Sequence, residues 1–244
     1  MSTDAQQLLV DLLSAQGIVL TEKQLLQFDI YYRTLVEWNE KMNLTGITDR
    51  EQVYLKHFYD SLSLAFFLPM EEVSRLADIG SGAGFPGIPL KIVYPHLKLT
   101  IVDSLQKRIH FLEHLSSELG LTDAAFIHGR AEDIARLPDH RDQYDLVTAR
   151  AVARLAVLNE FCLPFVKTNG LFVAMKGASG EEELSEARYS MDQLKGSLER
   201  AEKFTLPMEE SSRQLFFVRK KSPTPPKYPR KAGLPLKEPL LPRT

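Results

Sequence analysis

The sequence predicts an α/β fold: a doubly wound, Rossmann-like domain with a mostly parallel seven-stranded sheet, preceded by a helical extension. Between Leu76 and Lys176, short apolar runs alternate with helical patterns, which is typical of parallel strands joined by right-handed crossovers. The first run, residues 76–79, leads into a glycine-rich turn at residues 80–87, and the next run ends in Asp103. A strand, a glycine turn, a helix and a second strand in this order are typical of the start of a doubly wound sheet.

Three regions follow from the pattern along the chain. Residues 1–70 have the pattern of helices, with a capping box at Thr21–Gln24 ahead of apolar side chains at helical spacing. Residues 71–221 form the predicted α/β domain, and residues 222–244 a basic, proline-rich tail. The last elements expected in the domain are a charged helix over 181–202 and a hairpin with strands at 204–206 and 214–218.

Composition limits the class of protein. The 244 residues allow one large domain, or one domain with a small extension, at ~100 to 200 residues per domain. No apolar run reaches the ~18 residues that span a bilayer, and Met1–Asp4 lacks the basic and apolar parts of a secretion signal. The single cysteine, Cys162, excludes an intramolecular disulfide framework and a cysteine-based zinc cluster. We therefore expect a cytoplasmic protein with no membrane segment and no metal site.

The turn Gly80–Gly87 is the predicted ligand site, because glycines let the backbone approach a ligand closely. Its spacing, Gly82-x-Gly84-x-x-Gly87, also matches the dinucleotide fingerprint and does not choose the ligand by itself. Asp78 favours one choice, since a carboxylate at the strand end repels a pyrophosphate and suits the positive charges of S-adenosylmethionine. We interpret the turn as an S-adenosylmethionine site, with a nicotinamide dinucleotide as the alternative.

Further candidate residues lie at the carboxyl ends of other predicted strands, which share one edge of such a sheet. Asp103 lies 19 residues after Gly84 (103 − 84), near the ~20-residue offset of the carboxylate that binds ribose hydroxyls. After the third strand, Ala131 is small enough to lie against an adenine, and Glu132 or Asp133 is suited to accept its exocyclic N–H. The sequence therefore predicts an adenosine site at this edge, with a solvated acidic loop as the alternative for residues 129–133.

Arg150 ends the fourth strand at the same edge, where it could pair with a ligand carboxylate or neutralise Asp78 and Asp103. His57 and Asp60, three residues apart, share a helix face and invite an acid/base role. No fitting nucleophile accompanies them, so a histidine that holds the helical cover against the sheet is the preferred interpretation. We assign no catalytic residue.

Charge is distributed unevenly along the chain. From Arg219 onward, eight basic residues stand against one acid, which gives 8 − 1 = +7 and leaves 22 − 31 = −9 for the rest. The tail from Ser222 also holds seven of the fourteen prolines. Positive charge beside an aromatic ring suits phosphates and a stacked base, so we predict RNA binding by the tail, with a disordered solubility tail as the alternative. The predicted RNA-binding residues are Lys227, Tyr228, Arg230 and Lys231.

Several motifs, taken together and in order, resemble the bacterial ribosomal RNA small-subunit methyltransferase G family, once called glucose-inhibited division protein B. The resemblance runs from about Thr21 to the tail. The motifs are Trp38–Thr45, His57–Ser61, Asp78–Gly87, Ile101–Ser104, Gly129–Glu132, Val147–Val152 and Tyr228–Gly233. A set of this size is far more specific than the glycine turn alone.

The resemblance implies a cytoplasmic enzyme with the class I S-adenosylmethionine-dependent methyltransferase fold. It implies methyl transfer to N7 of guanine 527 in 16S ribosomal RNA, presented as RNA or as a small ribosomal subunit particle. It also implies cofactor contacts, to which the electrostatic argument above adds Asp78. The implied contacts are at Gly80, Phe85, Asp103, Ala131, Glu132 and Arg150.

N7 methylation agrees with the lack of a catalytic base in the sequence. Guanine N7 has an in-plane lone pair and no proton, so alignment and electrostatics are expected to supply most of the acceleration. Thr148–Arg150 stands where amino-group methyltransferases often carry Asn/Asp-Pro-Pro-Tyr. Cytosine C5 methyltransferases need a cysteine nucleophile, whereas Cys162 is expected in the middle of a helix, away from the predicted site. The remaining alternatives are another RNA-directed methyltransferase, a nicotinamide-dependent oxidoreductase and a non-enzymatic RNA-binding or ribosome-assembly protein.

Overall fold

The described residues, 4–178, 180–209 and 211–242 of a computed structural model, form a seven-stranded sheet flanked by helices. The strands are β1 (Arg75–Ile79), β2 (Lys98–Asp103), β3 (Ala124–His128), β4 (Tyr144–Arg150), β5 (Val166–Lys176), β6 (Gly196–Thr205) and β7 (Ser212–Lys220). They lie in the order β3-β2-β1-β4-β5-β7-β6, with β7 antiparallel to both of its neighbours and the other pairs parallel. The predicted doubly wound, mostly parallel sheet is confirmed.

Helices cover the sheet before and between its strands. The N-terminal ones are α1 (Asp4–Ser14), α2 (Glu22–Met42), α3 (Arg50–Val53) and α4 (Asp60–Leu62), with a π-helical turn at Tyr54–Tyr59 between the last two. The later ones are α5 (Gly87–Val93), α6 (Gln106–Glu118), α7 (Ala131–Ile134), α8 (Leu155–Cys162), α9 (Gly180–Gln193) and α10 (Leu234–Lys237). The capping box before α2 is present, since the Gln24 amide donates to the Thr21 side chain and the Gln24 side chain accepts from the Thr21 amide.

Parallel register brings the carboxyl ends of β1 to β4 to one edge of the sheet. Asp78 of β1 is level with Ile101 of β2 and Thr148 of β4, and Asp103 at the end of β2 is level with His128 at the end of β3. The loops that follow these strands therefore meet, at the edge where ligands of open α/β sheets bind.

The predicted charged helix over 181–202 is wrong in its second half. α9 ends at Gln193, and Lys195 takes a left-handed φ of 63° before β6 starts at Gly196. The residues expected in the last helical turns instead pair with β7 along the outer edge of the sheet. Charged side chains such as Glu199 are common on edge strands, where they oppose pairing with another chain.

The chain beyond β7 packs back on the domain. The buried ammonium of Lys220 donates to Asp142 Oδ1 at 2.8 Å and to Thr224 Oγ1 at 2.6 Å, which fastens the point where the chain leaves the sheet. Tyr228 then enters the second hydrophobic core cluster with 5% of its surface exposed. We call residues 224–236 the C-terminal strap. They pack on the domain, unlike the disordered tail that was the alternative interpretation.

Candidate cofactor and substrate site

The glycine loop after β1 has backbone angles and close contacts that favour glycine. Gly80, Gly82 and Gly84 all have positive φ, of 74°, 62° and 98°. A Cβ on Gly80 would lie 2.8 Å from Val152, and one on Gly84 would lie 2.8 Å from Tyr31 Oη, so neither site tolerates a side chain. At Gly82, no atom of the described residues would lie within 4 Å of such a Cβ. The loop is therefore packed at its two ends and open at its centre.

Asp78 lies beneath this loop, fully buried. Its Oδ2 accepts the Gly87 N–H at 2.7 Å, and within the described ranges its Oδ1 has no hydrogen-bond partner. Burial raises the pKa of this carboxyl to about 7. The Oδ2 bond holds the first residue of α5 against the end of β1, and the contact of Asp78 with a ligand stays a prediction.

Asp103 is held at the same edge with 2% of its surface exposed. Its Oδ2 accepts the Gly82 N–H at 3.2 Å and an Arg108 N–H at 3.3 Å, and its Oδ1 accepts the Leu105 N–H at 2.9 Å. Asp103 therefore links the glycine loop to the chain after β2.

A cavity of about 200 Å³, which we call the glycine-loop cavity, opens beside these residues. Gly80, Ala131, Glu132, Val152 and Leu236 are among the residues that line it. It therefore joins Gly80 to the predicted adenine-binding positions after β3 and to the C-terminal strap.

Glu132 is 2% exposed, and its Oε1 accepts the Gly233 N–H of the C-terminal strap at 2.8 Å. Sequence reasoning assigned this carboxylate to an adenine. The structure places it at the wall of the glycine-loop cavity, but with one oxygen already bound by the chain itself.

A second cavity, of about 350 Å³, lies on the other side of the residue after β4. We call it the arginine cavity; Lys56, His57, Asp60, Arg150, Lys176 and Arg213 are among its lining residues. Ala151, with a positive φ of 55°, lines this cavity, and Val152 lines the glycine-loop cavity. A non-glycine residue with positive φ is uncommon and marks a constrained turn, here between two cavities.

Two guanidinium groups share one buried carboxylate in the arginine cavity. Arg150 Nη1 and Arg213 Nε each lie 3.2 Å from the Asp60 carboxylate, and Arg150 also donates to the Lys56 carbonyl at 3.2 Å. Arg150 therefore pairs with Asp60, a partner that sequence reasoning did not assign to it. Arg213 lies 153 residues from Asp60 in the chain, and its position carried no sequence signal.

His57 connects the helical cover to the glycine loop, in line with the role expected for it. Its ring stacks on Phe85 with 4.6 Å between centroids, and its Nε2 hydrogen-bonds Thr45 Oγ1 at 2.8 Å. Burial, with a smaller effect of the Arg150 charge, lowers the pKa of His57 to about 4, so the ring is neutral near pH 7. Phe85 also stacks on Tyr31 at 5.2 Å, so its ring is used for packing.

The predicted RNA-binding residues of the tail divide into two pairs. Lys227 and Lys231 are exposed. Tyr228 is buried and donates to Gln193 Oε1 at 3.2 Å, so it has no free face for a base. Arg230 pairs with Glu160 at 2.7 Å, which raises the pKa of the guanidinium. The prediction is therefore corrected at Tyr228 and Arg230, because both side chains attach the strap to the domain.

Membrane-spanning helices and clusters of metal-binding side chains are absent from the described residues. No helix among them has the length and hydropathy to cross a membrane. No group of three or more histidine, cysteine, aspartate or glutamate side chains in these ranges is arranged to hold a metal ion.

Solved structures of low sequence identity share the fold. The mitomycin 7-O-methyltransferase MmcR matches with a TM-score of 0.55 at 14% identity, over 78% of this chain and 60% of its own. The M. jannaschii protein TYW2, solved in complex with AdoMet, matches with a TM-score of 0.52 at 16% identity, over 67% of this chain and 74% of its own. The predicted methyltransferase fold class is confirmed.

Sequence comparisons are far closer. A protein of Halalkalibacterium halodurans named ribosomal RNA small subunit methyltransferase G is 60% identical over 228 residues, 93% of this chain and 96% of its own. One of the same name from Geobacillus sp. (strain WCH70) is 56% identical over 229 residues, 94% and 96% of the two chains. The GidB family, described as rRNA small subunit methyltransferase G, matches residues 24–215. The chain therefore belongs to the rRNA small subunit methyltransferase G family and is a methyltransferase, as its motifs predicted.

Proposed function

We propose that this enzyme transfers a methyl group from S-adenosylmethionine to N7 of guanine 527 in 16S ribosomal RNA, in the cytoplasm. The observation that carries the proposal is the pair of cavities on either side of Arg150–Val152, one bounded by the glycine loop and one rich in cationic side chains. A methyl donor and a polyanionic acceptor need two adjoining sites of this kind. The names of the relatives support ribosomal RNA of the small subunit as the acceptor.

The residues around the glycine loop fit S-adenosylmethionine. Gly82 leaves open space at the centre of the loop, and the buried hydroxyl of Ser81 has no partner among the described residues. Asp103 is the carboxylate for the ribose hydroxyls, and Ala131 and Glu132 are the residues for the adenine. When bound, the cofactor supplies an electrophilic methyl group on a sulfonium. Asp78 is about half ionised near its pKa of about 7, and the ionised form favours that sulfonium over a pyrophosphate.

The arginine cavity is suited to the target nucleotide. Arg150 and Arg213 share a single carboxylate, so the cluster keeps a positive charge that favours a phosphate. Guanine N7 has no proton to lose, so the work of these residues is to bind and orient the base for attack.

Methyl transfer to defined RNA tests the proposal. The enzyme is incubated with labelled S-adenosylmethionine and unmodified small-subunit RNA, as naked RNA and as assembled particles. Borohydride reduction followed by aniline cleaves the RNA at 7-methylguanine and maps the site. We expect one cleavage, at guanine 527, in at least one substrate. Label at another base would favour a different RNA methyltransferase, and no label in either substrate would reject the proposal.

A matched pair of variants on β7 tests the arginine cavity. Arg213→Ala removes one of the two guanidiniums on Asp60, whereas Arg219→Ala removes a partner of Glu199 outside the cavity. We expect Arg213→Ala to lower kcat/KM for RNA by roughly tenfold or more, in the range for a buried charge-assisted contact, with cofactor affinity unchanged. Arg219→Ala should stay within about twofold, because a surface pair contributes little. Equal losses in the two variants would remove the arginine cavity from the substrate site.

A further inference from the structure

We propose that the C-terminal strap is part of the cofactor site, in which the Glu160–Arg230 ion pair acts as a clamp that sets the affinity for S-adenosylmethionine. The inference rests on the proposed function for the identity of the cofactor. It assigns to Arg230 and Leu236 of the strap a role in the cofactor site, separate from the RNA contacts predicted for Lys227 and Lys231.

The first attachment of the strap runs through its backbone. Arg141 donates to the carbonyls of Thr224 and Tyr228, each at 2.9 Å, and Arg136 donates to the carbonyl of Pro229. Both arginines belong to the segment between α7 and β4, which follows directly on the wall of the glycine-loop cavity. The strap is therefore tied to the segment that follows α7, the helix that carries Glu132.

The second attachment is an ion pair with a buried carboxylate. Glu160 of α8 has 1% of its side chain exposed, and Arg230 reaches it with Nη2 at 2.7 Å and Nε at 3.0 Å. The backbone N–H of Arg230 donates to the same carboxylate at 2.7 Å. Loss of one partner would leave a buried charge unpaired, so this clamp holds the strap in one position.

The third attachment reaches the cavity itself. Three residues after Arg230, the Gly233 N–H donates to Glu132 Oε1 at 2.8 Å, and Leu236 lines the glycine-loop cavity together with Gly80. Among the described residues, Gly233 is the hydrogen-bond donor to the Glu132 carboxylate. The strap thus orients one wall of the cavity and supplies another. Arg230 and Glu160 are positioning residues, since they act on the cavity through Gly233 and Leu236.

Isothermal titration of the full chain with S-adenosylmethionine alone tests the clamp without any contribution from RNA. Leu236→Ala is expected to raise Kd roughly threefold, because its half-exposed side chain gives up part of an apolar contact. Arg230→Ala is expected to raise Kd by about tenfold or more, because the cavity wall loses its preorganisation, and Arg230→Lys should fall between it and the unaltered protein. KM for the cofactor should rise with kcat at saturation unchanged.

Glu199→Gln is the matched control, because it breaks a partly exposed pair with Arg219 on the outer strands. It should leave Kd within twofold, and thermal melts show which variants are folded. If Arg230→Ala does not fold, Leu236→Ala carries the test alone. An unchanged Kd in the folded strap variants overturns the inference, and so does weaker RNA binding with an unchanged cofactor Kd. A wild-type chain that binds no S-adenosylmethionine would instead reject the proposed function and the inference together.

Discussion

Raising the pH should destabilise this protein through one group, the buried carboxyl of Asp78. Its pKa is about 7 in the folded chain, against an ordinary value of 3.8. The folded chain therefore keeps a proton that the unfolded chain loses, so the stabilisation is complete below pH 4 and is lost as the pH rises through 7. A difference of about three pKa units, at about 1.4 kcal/mol each, gives a loss of roughly 4 kcal/mol.

Asp78→Asn isolates this effect. The amide keeps the shape of the protonated carboxyl and an oxygen for the Gly87 N–H, but it does not titrate. We expect the variant to match the wild type near pH 4 and to exceed it by up to about 4 kcal/mol at pH 8, as the free energy of unfolding in urea at each pH. Such a gain would mean that the wild type keeps a destabilising carboxylate for its ligand.

His57 contributes a pH dependence of stability in the opposite direction, so the two proteins must be compared at each pH. Its pKa is about 4 when folded, so its stabilisation is present above pH 6.5 and is lost as the pH falls through 4. The wild-type profile alone can therefore look flat between pH 4 and 6.5. His57 is common to both proteins and cancels in their difference. A difference that does not change with pH, or that favours the wild type at pH 8, would refute the reasoning.

Three further predictions concern the cofactor loop and the RNA. Gly82→Ala and Gly120→Ala should each lower stability by about 1 kcal/mol in thermal melts, since both glycines have positive φ and room for a Cβ. Only Gly82→Ala should also weaken cofactor binding, measured by titration. Asp103→Ala should abolish measurable cofactor binding, because it removes the ribose acceptor and an anchor of the loop; intact binding would place the ribose elsewhere. Lys227→Ala with Lys231→Ala should reduce the log–log salt slope of RNA binding by about one unit for each phosphate that the variant no longer neutralises, and an unchanged slope would exclude these lysines from the interface.

Sequence patterns alone predict the sheet, the glycine loop and the positions of Asp103 and Arg150 at one edge. These depend on local features: apolar runs of strand length, glycines at a turn, and the rule that parallel strands end at one edge. The family motifs added the chemistry, because they extend over most of the chain in a fixed order.

The partners of the polar side chains depend on the three-dimensional fold. The residues after Gly196 pair with β7 although their charges suit a helix, because strand pairing outweighs local propensity. Arg230 meets a carboxylate 70 residues earlier, and Arg213 meets one 153 residues earlier. Asp78 turns beneath the loop, where burial changes its protonation. Contacts between distant parts of the chain have no local signature, since folding chooses charge partners by burial and geometry.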